Sequence, residues 1–250
     1  MRLPRWFHQL GSPPYVYRLA GRLRPWLGGI ALVLIAAGAV GGLVLAPTDY
    51  QQGDSYRIIY IHVPSAYLGM MGYVILAVSA GIGFVWRMKL AHAVAVAAAP
   101  IGASFNFVAL VTGAIWGKPT WGTYWQWGEP RIMFELLSLF LYLGYLALRA
   151  AFEDRDKADR VSAILAVVGV VNIPIIHYSV IWWNTLHQGP TIAKFGSGSI
   201  TVDMLAPLLI MIVGFTVCFA WLLLQRLQAE IIEREQDTRW IRQLAAEAAP

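Results

Sequence analysis

The sequence predicts an all-α, polytopic membrane protein of six transmembrane helices with both termini in the cytoplasm. Two observations carry this reading: apolar residues gather into six blocks, and cationic residues gather into alternate connections between them. Of 250 residues, 58% are hydrophobic and only 13% charged, about half the charged share of an ordinary globular domain. The blocks are Trp26–Ala46, Val63–Trp86, Ala93–Trp116, Ile132–Leu148, Val161–Trp183 and Met204–Leu224. Each is about as long as a helix must be to cross ~30 Å of hydrocarbon. The strands of a membrane barrel would instead alternate over about ten residues.

Orientation follows from Lys and Arg. With six spans, the termini share one side with the second and fourth connections, and that side holds 15 of the 19 cations. The connections at about 47–62, 117–131 and 184–203 hold only Arg57, Lys118, Arg131 and Lys194. This is the positive-inside pattern, so those three loops face outward. The net charge of +5 then reflects topology and anionic lipid headgroups, not nucleic acid.

Taken in order, residues 1–25 mix arginines with Trp6, Phe7, Tyr15 and Tyr17 around Pro13-Pro14, as a cytoplasmic segment lying on headgroups would. The first block has too long an apolar core for a signal peptide and reads as a retained span. The first outer loop ends in Tyr60-Ile61-His62-Val63-Pro64-Ser65. Pro64 suits the first turn of a helix, which puts His62 at or just outside the mouth of the second span. Pro100 and a run of small residues predict close contact and a kink in the third span. Glu135, one turn into the fourth span, needs a partner or a polar cavity. Residues Glu153 to Arg160 read as a charged, solvated connection. A six-helix domain over residues 26–224 is followed by a charged helical tail, 225–250, with Leu227, Ile231, Ile241 and Leu244 as its apolar points.

The outer loops hold the residues with chemistry. Trp121, Trp125 and Trp127 fall within seven residues of a short, otherwise polar loop. Three indoles there call for a large flat apolar partner: the membrane interface, a protein, or a planar cofactor. Trp121 and Trp125 are four apart, so one helical turn would put them on one face. His62 and His187 come from the two other outer loops, and two neutral imidazoles can supply both axial ligands of a haem iron. His177, inside the fifth span, reads first as a core histidine bonded to a carbonyl. Zinc lacks a third ligand on this face, whereas a quinone site remains open. Arg131 is the best-placed cation for an anionic ligand group. The single cysteine, Cys218, excludes an internal disulfide and covalent haem attachment through a paired-cysteine motif. A permease would need a polar path, for which Glu135, Asn172 and His177 are the candidates. A redox subunit would need histidine pairs inside spans.

The motifs resemble those of the CcmC family, the haem exporter proteins C of cytochrome c maturation. The resemblance rests on Tyr60 to Ser65, on Trp116-Gly117-Lys118-Pro119-Thr120-Trp121-Gly122-Thr123-Tyr124-Trp125, and on Asn172 to Ser179 running on to Trp182-Trp183-Asn184-Thr185-Leu186-His187-Gln188-Gly189. It covers roughly residues 26–225. It implies a haem-delivery protein of the bacterial inner membrane rather than an enzyme. Haem b (iron protoporphyrin IX) would sit at the periplasmic face, with the tryptophan loop packed on the porphyrin and His62 and His187 on the iron. The implied partners are the periplasmic haem chaperone CcmE, the ABC transporter subunits CcmA and CcmB, and the small membrane protein CcmD. One departure stands out. The family pattern Trp-Asp-x-Arg is here Trp127-Gly128-Glu129-Pro130-Arg131, one residue longer, with Glu129 expected to take the Asp's bracing role and Gly128 to absorb the extra length.

Overall fold

The computed structural model describes residues 11–183, 185–187 and 200–247. Residues 1–10, with Trp6, Phe7 and His8, lie outside them, as do Asn184, most of the third outer loop with Lys194, and residues 248–250. The described residues form eight α-helices: α1 (Pro13–Ala39), α2 (Ile59–Trp86), α3 (Lys89–Trp121), α4 (Pro130–Ala150), α5 (Arg155–Gly169), α6 (Asn172–Trp182), α7 (Val202–Glu235) and α8 (Arg239–Glu247). A wider helical turn, Val40–Leu45, continues α1, and a tight turn, Asp54–Ile58, leads into α2. Six helical segments are long and apolar enough to cross a membrane, α5 and α6 together making the fifth.

Several boundaries differ from the sequence reading. Helix α1 begins at Pro13, with proline in its first turn, so residues 13–25 continue the first span without a break. The third span runs as one helix through Pro100 and, past Trp116, through Pro119 to Trp121. The fifth span does break, between Gly169 and Asn172, where the Tyr73 hydroxyl packs onto Gly169. The last span continues to Glu235 as part of the same helix.

Helices α2 and α3 pack most extensively, and α1 lies along α7. Small residues allow this approach: Ala77, Ala80, Ala95, Ala99 and Ala103 surround Tyr73, Tyr142 and Tyr145 in the central core. Gly72 meets the Gly102 backbone, and the Tyr142 hydroxyl donates to the Gly69 carbonyl at 2.8 Å. Large apolar side chains such as Leu32, Val33, Val78, Phe107 and Val213 are exposed on the outside of the bundle, where lipid rather than water suits them.

At the end of the bundle opposite the tryptophan loop, the connection at residues 153–160 is not simply solvated. Asp154 caps α5 by accepting from the Asp156 and Lys157 amides. Asp159 is buried and accepts from Arg149 of α4 and from Arg234 of α7, the latter at 2.8 and 3.0 Å. This ion cluster ties three helices. Beside it, Leu227 and Ile231 of α7 are buried against Ala93, Ala97, Tyr17 and Trp240, which holds the start of the tail to the bundle.

Candidate functional site

The other end of the bundle carries an open cleft walled by His62, Trp121, Trp125, Arg131, Glu135 and His187. Aromatic and apolar walls with a few convergent polar groups are the makeup of small-molecule and cofactor sites. Each wall residue is placed by a local device. The first outer loop folds on Asp49, which accepts from the Gln51 and Gln52 amides at 2.9 and 2.8 Å, while Gly53 takes φ 60°. That turn presents Gln52 to the Trp116 indole N–H at 2.7 Å. Trp116 in turn meets His62 edge-on, with centroids 5.6 Å apart.

His62 sits in the first turn of α2, inside the helix rather than outside its mouth. Its Nδ1 is 3.0 Å from the Thr112 hydroxyl. Thr112 already donates to the Val108 carbonyl at 2.6 Å, so its oxygen is left to accept. Nδ1 of His62 therefore carries the proton, and Nε2 keeps its lone pair. Gly113 lets the ring lie close: a Cβ there would come 3.0 Å from His62 Cε1.

Helix α3 ends at Trp121 because Gly122 adopts φ 80° and donates to the Lys118 carbonyl, the left-handed C-terminal cap that glycine favours. Trp121 is thus the last helical residue and Trp125 lies beyond the cap, so the two share no helical turn. Both nonetheless reach the cleft. Thr123 braces the loop by bonding both the carbonyl and the amide of Trp125. Among the described residues, the buried Trp125 indole N–H has no hydrogen-bond partner. Trp127 packs edge-on against Trp125 at 5.7 Å but is 74% exposed and lies outside the cleft wall. Gly128 has no positive φ, so the unusual backbone expected there falls at Gly122 instead.

Glu129 is the residue before α4 and is only 3% exposed. Residues at this position commonly cap their own helix, but this side chain makes no such bond. It reaches across to the third outer loop. Oε1 is 3.0 Å from His187 Nδ1, and Oε2 accepts from the Leu186 amide at 3.0 Å. Glu129 thus joins the start of α4 to Leu186 and His187. Trp121 packs edge-on against the same imidazole at 4.8 Å. Burial, helped by the charge of Arg131, lowers the His187 pKa below its ordinary value and outweighs the opposing hydrogen bond that His187 donates to Glu129. A neutral imidazole with Nδ1–H on a carboxylate offers Nε2 as a ligand.

Among the described cations at this end of the bundle, Arg57 binds Asp54 and the Gly42 carbonyl, and Lys118 binds the Gly122 carbonyl. Arg131, in the cleft wall, has no hydrogen-bond partner among the described residues and is available to an anion. Glu135 accepts from the Asn106 amide at 2.7 Å. His177 is exposed on α6 and packs on Tyr178 at 4.9 Å; it is neither the carbonyl-bonded core residue expected nor part of the cleft. Thr112, Gly113 and Gln52 escaped sequence reasoning. A threonine and a glycine in an apolar span carry no local signal.

Apolar and aromatic walls, two imidazoles whose bonds run through Nδ1, and, among the described residues, a cation and an indole N–H without hydrogen-bond partners form a donor set that fits a planar, iron-bearing, anionic ligand. Fold and site together define a polytopic helical membrane protein with an aromatic, histidine-bearing cleft at one end. The family described as CcmC, heme exporter protein C, matches residues 6–242. The chain is 50% identical to heme exporter protein C of Escherichia coli K12 over 237 residues, 95% of each chain. It is 47% identical to heme exporter protein C of Haemophilus influenzae over 241 residues, 96% of this chain and 98% of that one. A ccmC-like mitochondrial protein of cytochrome c biosynthesis from Marchantia polymorpha is 40% identical over 187 residues, 75% of this chain and 78% of that one. The chain belongs to the heme exporter protein C family.

Proposed function

We propose that this protein holds haem b at the periplasmic face of the bacterial inner membrane and presents it to the periplasmic chaperone CcmE. In this reading His62 and His187 take the two axial positions of the iron through Nε2. Trp121 and Trp125 cover the porphyrin, Trp127 extends that aromatic surface, and Arg131 pairs with a propionate. Glu129 holds His187. CcmA, CcmB and CcmD are the membrane partners. The chain binds and hands over a cargo and makes no bond in a metabolite.

The observation that carries the reading is the pair of imidazoles in one cleft, each with Nδ1 engaged and Nε2 left over. Binding follows from three effects: burial of aromatic area against the ring, coordination by two preset tautomers, and a charge-assisted bond to a carboxylate. The decisive experiment is the absorption spectrum of the detergent-purified protein with and without added haem. A low-spin bis-imidazole spectrum is expected, lost or altered in His62→Ala and in His187→Ala. An unchanged low-spin spectrum in both variants would refute the ligation.

A further inference from the structure

We infer that the two histidines are unequal ligands by construction, and that the Glu129–His187 arm is the one that keeps its iron bond while the His62 bond opens first. This rests on the haem-ligation reading above.

The inequality lies in what holds each Nδ1–H. At His187 the acceptor is a carboxylate oxygen 3.0 Å away, and the second oxygen of the same group takes the Leu186 amide. Glu129 is buried and stands at the N-terminal end of α4, where the helix dipole favours negative charge. At His62 the acceptor is a neutral hydroxyl, also 3.0 Å away, whose own proton is committed to Val108. Distance does not separate the two bonds; charge does. A hydrogen bond to an ionised acceptor is roughly twice as strong as a neutral one. A carboxylate behind a ligating imidazole raises its basicity, and losing such a partner costs about 10- to 100-fold in metal affinity. His187 is therefore the stronger donor to iron, and Glu129 a positioning residue acting through it.

The consequence is an order of events. When an incoming ligand competes for the iron, the Fe–Nε2 bond to His62 breaks. Its electron pair stays on the imidazole, and the new ligand's electron pair forms the replacement bond. No electron is transferred, and His62 keeps its Nδ1 proton on Thr112.

Carbon monoxide is a suitable probe. It is added to the dithionite-reduced, haem-loaded full-length protein, and the C–O stretch is read together with the haem midpoint potential. Glu129→Gln keeps an acceptor of the same shape without the charge. It is expected to raise the midpoint potential by about 59 mV, the one-electron equivalent of a tenfold loss of ferric over ferrous affinity. It is also expected to shift the C–O stretch, because His187 remains opposite the carbon monoxide. Thr112→Val removes the acceptor of His62. It is expected to speed carbon monoxide binding and leave the stretch in place. A stretch that moves with Thr112→Val and not with Glu129→Gln would reverse the order and overturn the inference. Wild-type values in both variants would overturn it as well, while leaving a bis-imidazole spectrum, and the ligation reading with it, intact.

Discussion

Replacing Gly113 by Ala adds one methyl behind His62, and its effect can be worked from the structure. The new Cβ would sit 3.0 Å from Cε1 and 3.6 Å from Nδ1 of the imidazole. Carbon atoms prefer about 3.5–4.0 Å, so the ring must move by roughly half an ångström. Trp116 lies against the ring and Thr112 holds Nδ1, so movement breaks one or the other. Cε1 adjoins Nε2, and any shift displaces the iron ligand. Overpacking of this kind typically costs about 1–3 kcal/mol, or roughly 5- to 150-fold in haem affinity if it falls on the bound state. The apoprotein carries part of this cost, because Trp116 and Thr112 already hold the ring there, and a bound iron adds a further restraint. The helix preference of Ala over Gly, up to ~1 kcal/mol, offsets part of the loss in the melt, so the larger change is expected in the titration. The assay is a haem titration of the purified apoprotein, followed by absorbance, alongside a thermal melt. Gly29→Ala, where an added Cβ meets nothing within 4 Å, serves as the control with unchanged affinity. Wild-type affinity and spectrum in a folded Gly113→Ala protein would refute the placement of His62 beside the iron.

Other outcomes follow from the same geometry. Alkaline phosphatase fused after Gly122 should be active and after Lys157 inactive; the reverse would invert the topology read from the 15 cations on one side. Trp121→Ala and Trp125→Ala should lower haem per mole of purified protein, with Phe retaining more than Ala. Trp127→Ala should lower it least, given its exposure outside the cleft wall; equal losses at all three would show a cover wider than that wall. Asp159→Asn leaves Arg149 and Arg234 without their shared carboxylate. Losing one partner of a buried ion cluster costs about 3–5 kcal/mol, so the detergent melting temperature should fall while the haem spectrum stays.

The fold was legible because the bilayer imposes one dominant constraint, and six apolar blocks of spanning length satisfy it in only one way. Most of what escaped depends on contacts between distant residues. One signal was local and passed over: the fifth span breaks around Val170, four residues before Pro174, whose ring and missing N–H disrupt a helix there, while the packing of Tyr73 onto Gly169 beside it is a contact from a distant helix. The polar sequence around Asp159 resembles any solvated loop; only the arrival of Arg149 and Arg234 from other helices makes it a buried cluster. The site divides the same way. Trp121, Trp125, His62 and His187 were visible because indoles and imidazoles are conspicuous in short polar loops. The second layer was not, since its chemistry is ordinary until it is placed. Glu129 shows how far a residue-level expectation can go: its departure from the Trp-Asp-x-Arg pattern pointed to a bracing carboxylate, but not to what it braces. The target is set by Leu186 and His187, distant in sequence, whose amide and imidazole meet the two oxygens of one side chain. Glu129 spans that reach with its full stem, ending 3.0 Å from His187 Nδ1 and 3.0 Å from the Leu186 amide. Shortening Glu129 to Asp removes one methylene from that reach and should leave the carboxylate short of His187, read as a loss of haem affinity in the same titration.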